Sequence, residues 1–229
     1  MAGGPRVSTF VLVHGAWHGA WCCERVEPLL ADAGHRVVTP TLAGLGERAG
    51  EASAAVNLDT HIADIVTAVE GRSDVVLVAH SYAGFPAHGA VEQVAVRRLV
   101  LLDAFIPRDG EAAADHVGER GDQYRAAAAD DPGWLAPPPP AAVLGVPEAD
   151  IAWVQSRMTP QPVQTYLQPI ALTGAAEALD RHYISCTAPA LASIDESKRR
   201  VAGLPVTELA CGHDAMIAAP DQVATALLG

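Results

Sequence analysis

Apolar residues gather in short runs separated by longer stretches of helical spacing, and this rhythm covers most of the chain. The short runs fall at Thr9–Val13, His35–Pro40, Asp74–Ala79, Arg98–Asp103, His182–Cys186 and Thr207–Ala210. Val75-Val76-Leu77-Val78 and Leu99-Val100-Leu101-Leu102 are apolar without alternation, as expected of strands covered on both faces. Helical spacing predicts helices over 20–33, 58–70, 82–94, 195–202 and 220–228, the last opened by Pro220 and Asp221. Strands that alternate with helices predict an α/β fold: a mostly parallel sheet of about six strands flanked by helices.

The rhythm breaks between Pro107 and Asp180. That stretch carries Ala-rich pieces, the prolines Pro137–Pro140, and the large side chains Trp134, Trp153 and Met158, with no convincing strand. Four consecutive prolines suit a stiff exposed linker. Trp and Met are poorly placed in a solvated linker, so the stretch reads instead as a helical cap over the strand ends. The expected organisation is one domain over 1–229 with a cap subdomain at 107–180.

Composition narrows the partners. Half of the 229 residues are hydrophobic and 18% are charged, which fits a globular chain. A formal charge of −12 argues against nucleic acid and anionic membranes, since phosphate binding needs clustered Lys and Arg. No stretch reaches the roughly 18 apolar residues of a membrane span, and the start of the chain does not read as a targeting segment. Cys22, Cys23, Cys186 and Cys211 form no CxxC pair, so they read as reduced core residues of a cytoplasmic protein and not as a metal site. The partner left is a small-molecule substrate; a homodimer stays open.

Candidate chemistry lies in three turns. Ala79-His80-Ser81-Tyr82-Ala83-Gly84 joins the strongest predicted strand to a helix. A serine on such a turn is held in a strained conformation with its hydroxyl clear of the sheet, and its flanks must be small because strand and helix approach closely. Ala79 and Ala83 meet that demand. Helix capping is the competing role for this serine. The turn His14-Gly15-Ala16-Trp17 follows the first strand, and its Ala16 amide can stabilise an oxyanion together with the amide of Tyr82. Cys211-Gly212-His213-Asp214 follows the last strand, where His213 can act as the base a serine needs. His14 reads as a structural hydrogen-bonder, His80 is expected to point away from the site, and the other histidines lack a motif.

With these turns in place, the chain resembles the plant methylesterase/hydroxynitrile-lyase branch of the α/β-hydrolases, as a bacterial relative. The resemblance rests on HGAWHGAW (14–21), TPTLAGLGER (39–48), AHSYAG (79–84), LLDAFIPRDG (101–110), RHYISCT (181–187) and GHDAM (212–216). It implies an α/β-hydrolase fold with a cap over a lipophilic pocket, no cofactor, and cleavage of esters or, in fewer members, cyanohydrins. Lyases of the branch carry a threonine and a lysine where this chain has Gly15 and Asp214. A carboxylate would oppose the cyanide leaving group, which favours ester cleavage.

The chain departs from the branch at the third catalytic group. Plant relatives carry Asp two residues beyond the C-T pair, here Cys186-Thr187, and that place holds Pro189. Asp103, after the strand that follows the serine turn, is the first choice of substitute. It lies at the carboxyl edge where catalytic groups gather in open α/β sheets, with capping of the Phe105–Pro107 turn as its bland role. Asp195, Asp180 and a Ser–His pair without an acid stay open.

The expected activity is hydrolysis of a carboxylic ester or lactone through an acyl-enzyme, with Ser81 as nucleophile, His213 as base and Asp103 as its orienting acid. Tyr82, Trp17, Trp134, Trp153 and Met158 are the expected contacts to an apolar or aromatic substrate; core packing is their other role. Two other classes compete: a lyase or cyclase on the same scaffold, suited to natural-product tailoring, and a small-molecule binding protein.

Overall fold

The computed structural model describes residues 7–128 and 134–229. Most of the stretch read above for a targeting segment lies outside the described residues, as does 129–133 of the expected cap.

The chain opens with β1 (Thr9–Val13), α1 (Glu27–Asp32), β2 (Arg36–Val38), α2 (Leu58–Val69), β3 (Val75–His80), α3 (Gly84–Val91) and β4 (Arg98–Leu102). It continues through α4 (Glu119–Ala127), β5 (Leu135–Ala136), α5 (Ile151–Arg157), β6 (Gln161–Pro162) and α6 (Gln164–Leu167). It ends with β7 (Asp180–Cys186), α7 (Asp195–Arg199), β8 (Val206–Leu209), α8 (Ala215–Ala218) and α9 (Pro220–Leu228).

Six strands form one parallel sheet in the order β2-β1-β3-β4-β7-β8. Burial explains the two unbroken apolar runs: every residue of β3 is buried, and Leu77, Leu99 and Leu101 are fully enclosed. The parallel register aligns Val13 with Ala79, His80 with Leu102, and Cys186 with Leu209. The turns after β1, β3, β4 and β8 therefore emerge on the same edge. Among the described residues, no helix is long and apolar enough to cross a membrane.

Two expectations need correction. The helix expected over 20–33 divides into a 3-10 turn at Ala20–Cys23 and α1, which starts with Pro28 in its first turn. Proline has no N–H for the preceding turn, so the helix restarts there. The stretch read as strandless contains the antiparallel pair β5–β6, two residues each, too short to leave an alternating pattern. The stretch folds back over the carboxyl edge of the sheet. Thr159 N–H donates to the Trp17 carbonyl at 2.9 Å, and Asp214 N–H to the Leu144 carbonyl at 3.1 Å.

Candidate active site

Ser81 follows β3 directly and adopts φ 55°, in the left-handed region that a side chain enters only at a cost. Gly84 lets the turn close. A methyl group there would stand 2.0 Å from the Phe105 carbonyl oxygen, while Phe105 N–H donates to the Ser81 carbonyl at 3.0 Å. The same contacts bring the turn after β4 alongside. Asp103 occupies it with φ 42°, fully buried.

His213 bridges the two turns. Its Nε2 lies 2.8 Å from Ser81 Oγ and its Nδ1 2.7 Å from Asp103 Oδ2. With Nδ1–H donating to the carboxylate, Nε2 presents its lone pair to the serine hydroxyl. The other carboxylate oxygen, Oδ1, accepts the Cys186 amide at 3.1 Å and faces Lys198 Nζ at 3.1 Å. Burial alone would raise the Asp103 pKa, but His213, Lys198 and the Cys186 amide outweigh it and hold the carboxyl below its usual range. Asp180 pairs with Arg98 at 3.4 Å and Asp195 is exposed at the start of α7; neither is a hydrogen-bond partner of His213 among the described residues.

The turn after β1 faces the serine. His14 Nδ1–H donates to the Gly15 carbonyl at 2.8 Å, and its Nε2 accepts the Leu42 amide at 3.0 Å. Burial pushes its pKa down to about 3, so the ring is neutral and fixes the Gly15–Ala16 peptide plane. Gly15 is required by space: a Cβ would stand 2.8 Å from His80 Nδ1 and 3.0 Å from Ser81 Cβ. The Ala16 and Tyr82 amides donate no hydrogen bond within the described residues. A cavity of about 10 Å³ lies between Gly15, Ala16, Ser81 and His213. It has room for about one oxygen atom.

Behind this array stand three groups whose roles the sequence did not reveal. His80 was expected to point away. Its ring instead lies 4.6 Å from that of His213, and its Nε2–H donates to the His213 carbonyl at 3.0 Å. His80 is neutral, its pKa pushed by burial to about 3. His18 places Nδ1 2.7 Å from the Ala16 carbonyl and Nε2 3.1 Å from Asp214 Oδ2. Two acceptors on one ring require a doubly protonated imidazole. Burial opposes that charge, but Asp214 prevails and raises the His18 pKa. Asp214 is thereby held in the core, fully buried, with one carboxylate oxygen on His18. His80, His213 and Asp214 offer metal-ligating atoms within 4.8 Å of one another. Both His213 nitrogens are already engaged with Ser81 and Asp103, so an ion there would have to break that chain.

A larger cavity of about 250 Å³ opens onto Ser81 and His213 and is bounded by Trp17, Phe105, Arg120, Leu144 and Tyr166. Of the expected substrate contacts, Trp17 lines it. The Tyr82 hydroxyl lies 2.9 Å from His61 Nδ1, and its ring is wholly buried. Trp153 packs edge-on against Trp21 with Arg25 and Arg157 over its faces. Met158 belongs to the core, and the Trp134 carbonyl joins the β5–β6 segment by accepting the Val163 amide. The Tyr82, Trp134, Trp153 and Met158 side chains thus lie outside the cavity lining.

A model of the alpha/beta hydrolase family matches residues 10–226, and the chain belongs to that family. The Nocardioides sp. (strain SG-4G) "carbendazim hydrolyzing esterase" is 36% identical over 242 residues, covering 96% of this chain and 98% of that one. Methylesterase 1 of Arabidopsis thaliana is 35% identical over 108 residues, covering 44% and 41%. In structure, the chain is similar to an extracellular α/β-hydrolase from a Paenibacillus species, with TM-score 0.83, 21% identity, and coverage of 95% and 96%. Fold, family and relatives together define an esterase-type hydrolase.

Proposed function

We propose that the protein is a serine esterase in which Ser81, His213 and Asp103 form the catalytic triad and residues 107–180 the cap. The observation that carries this reading is the unbroken chain Ser81 Oγ–His213 Nε2 and His213 Nδ1–Asp103 Oδ2, at 2.8 and 2.7 Å. His213 Nε2 takes the serine proton as Oγ attacks the ester carbonyl, and the oxyanion enters the small cavity beside the Ala16 and Tyr82 amides. The imidazolium then passes its proton to the leaving alcohol. Water, deprotonated by His213, attacks the acyl-enzyme; the proton returns to Ser81 as the acid departs.

The apolar walls of the 250 Å³ cavity, Trp17, Phe105, Leu144 and Tyr166 among them, suit a small aromatic or apolar ester. The esterase named among the relatives supports the same class. Against the lyase reading stand the lack of room for a side chain at Gly15 and the inward turn of Asp214. A cytoplasmic location is part of the proposal, supported by four free, buried cysteines.

The test is hydrolysis of short-chain and aromatic p-nitrophenyl esters. Ser81→Ala is expected to lower turnover by roughly 10⁶-fold and Asp103→Asn by roughly 10⁴-fold. Full activity in Ser81→Ala would remove the nucleophile assignment. Full activity in Asp103→Asn would leave an enzyme without this acid.

A further inference from the structure

The cavity that opens onto Ser81 is walled mainly by apolar side chains; beside Ser81, His213 and Ser193, Arg120 is its one arginine or lysine. Arg120, near the start of α4, lines it with its Cζ 5.7 Å from the centre of the Trp17 ring. Among the described residues, Arg120 is the one partly buried arginine without an ion pair. The others in that position, Arg25, Arg48, Arg98, Arg181 and Arg200, each face a carboxylate at 3.9 Å or closer. The missing partner is not for want of acids, because the chain carries 27 Asp and Glu against 15 Lys and Arg. A guanidinium half withdrawn from water loses hydration that only a hydrogen-bonding anion or acceptor restores fully.

The surroundings repeat the signal. The Tyr124 hydroxyl, one turn along α4, is buried and lies close to the Arg120 guanidinium, short of a well-formed hydrogen bond. Burial pushes its pKa up to about 12, with Arg120 close enough to oppose part of that rise. Tyr166, its ring tilted against that of Tyr124 at 4.9 Å between ring centres, completes this wall and reaches the cavity itself. A cation without a carboxylate partner, with only a neutral hydroxyl close by, faces the same space as Ser81.

We propose that Arg120 is a specificity residue that receives a carboxylate carried by the ester substrate away from its scissile bond. The inference rests on the esterase reading and narrows it: the preferred substrate is an aromatic ester that is also an anion. Trp17 and Phe105 enclose its apolar body, and the guanidinium fork meets its carboxylate in two parallel hydrogen bonds. The net charge of −12 disfavours anions in general, so an anionic ester needs a local cation such as Arg120 to be held.

The test uses two pairs of esters of matched size. Monomethyl terephthalate and methyl 4-methylbenzoate place the charge, or a methyl group, on the acyl part. 4-Acetoxybenzoate and 4-methylphenyl acetate place it on the leaving alcohol. In at least one pair the wild type is expected to favour the anion in kcat/KM. Arg120→Gln is expected to reduce that preference by roughly ten- to a hundredfold, mainly through KM, as loss of a charged hydrogen-bonding partner implies. Arg120→Lys, which keeps the charge without the fork, should fall between the two. The neutral ester of each pair reports on folding. Equal losses on anionic and neutral esters would overturn the proposal and reduce Arg120 to packing on Trp17, as would a wild type that prefers neutral esters in both pairs. If none of the four esters is turned over, the esterase reading fails separately. Calorimetric binding of the same esters to Ser81→Ala, with and without Arg120→Gln, then decides the inference by itself: a tighter anion that loosens without Arg120 upholds it, and equal binding sinks it.

Discussion

On the sheet side of the Ser81 cavity, the backbone does the holding; on the side of residues 107–179, side chains do. Trp17, Ser81 and Asp103 all sit at positive φ, 64°, 55° and 42°, at the carboxyl ends of β1, β3 and β4. Each such residue costs roughly 1–3 kcal/mol, which neighbouring contacts must offset, among them the close approach at Gly84 and the hydrogen bonds that the Cys186 and Phe105 amides donate to Asp103 and Ser81. The opposite wall rests on short helices and a pair of two-residue strands. It presents Arg120, a long cationic group with no carboxylate partner among the described residues. The difference divides the labour. On the proposed reading, the reacting atoms are fixed by local backbone geometry, and the atoms that choose the substrate are carried on side chains that can be exchanged without disturbing the sheet.

One contact crosses this division: Gly212, next to His213, packs backbone to backbone against Gly145. A Cβ at position 212 would lie 2.3 Å from the Gly145 carbonyl oxygen. The segment that carries Gly145 therefore also clamps the loop that carries His213.

If the division holds, substitutions on the sheet side depress kcat, while those opposite move KM. Beyond Ser81 and Asp103, the next largest effect is expected at His18, which ties the turn carrying Ala16 to Asp214. His18→Gln should lower kcat roughly tenfold, because small displacements of positioned groups are costly, with KM little altered in steady-state kinetics. Stability supplies a second readout. The His18 pKa is raised in the folded state, so its contribution is present below the ordinary histidine range and lost as pH rises through the raised value. Wild-type Tm should fall across that interval, and the His18→Gln variant should lack the step. A large KM effect with kcat intact would break the division. The smallest effect is expected at Val143, exposed at 54% on the cavity rim. Val143→Ala should change KM by about twofold or less and leave Tm unmoved, as surface substitutions usually do; a collapse in kcat there would show that the rim also positions the chemistry.

The same contrast accounts for what could be read from sequence. Buried parallel strands have a one-dimensional signature, so β1, β3 and β4 stand where the apolar runs placed them, within a residue at their ends. Ser81 and His213 are announced locally by small flanks and by the turns that follow their strands. Lys198 beside Asp103 and His18 beside Asp214 have no such announcement. These partners lie 95 and 196 residues apart in the chain and meet because the fold brings α7 and separate turns to one edge of the sheet. His80 failed for a different reason. A residue adjacent to the nucleophile was expected to alternate away from it, yet the turn after β3 leaves its ring beneath His213. The opposite wall was legible in its existence and not in its membership. Large side chains signalled a folded segment, but only packing decides that Trp153 faces Trp21 while Arg120 faces the cavity.

The central claim is a covalent acyl intermediate on Ser81, and rapid-quench peptide mass spectrometry during turnover of p-nitrophenyl acetate tests it directly. The account expects the mass of one acetyl group on the peptide bearing Ser81, formed at least as fast as the enzyme turns over and absent in Ser81→Ala. Steady turnover with no acylated Ser81 at any quench time would contradict it.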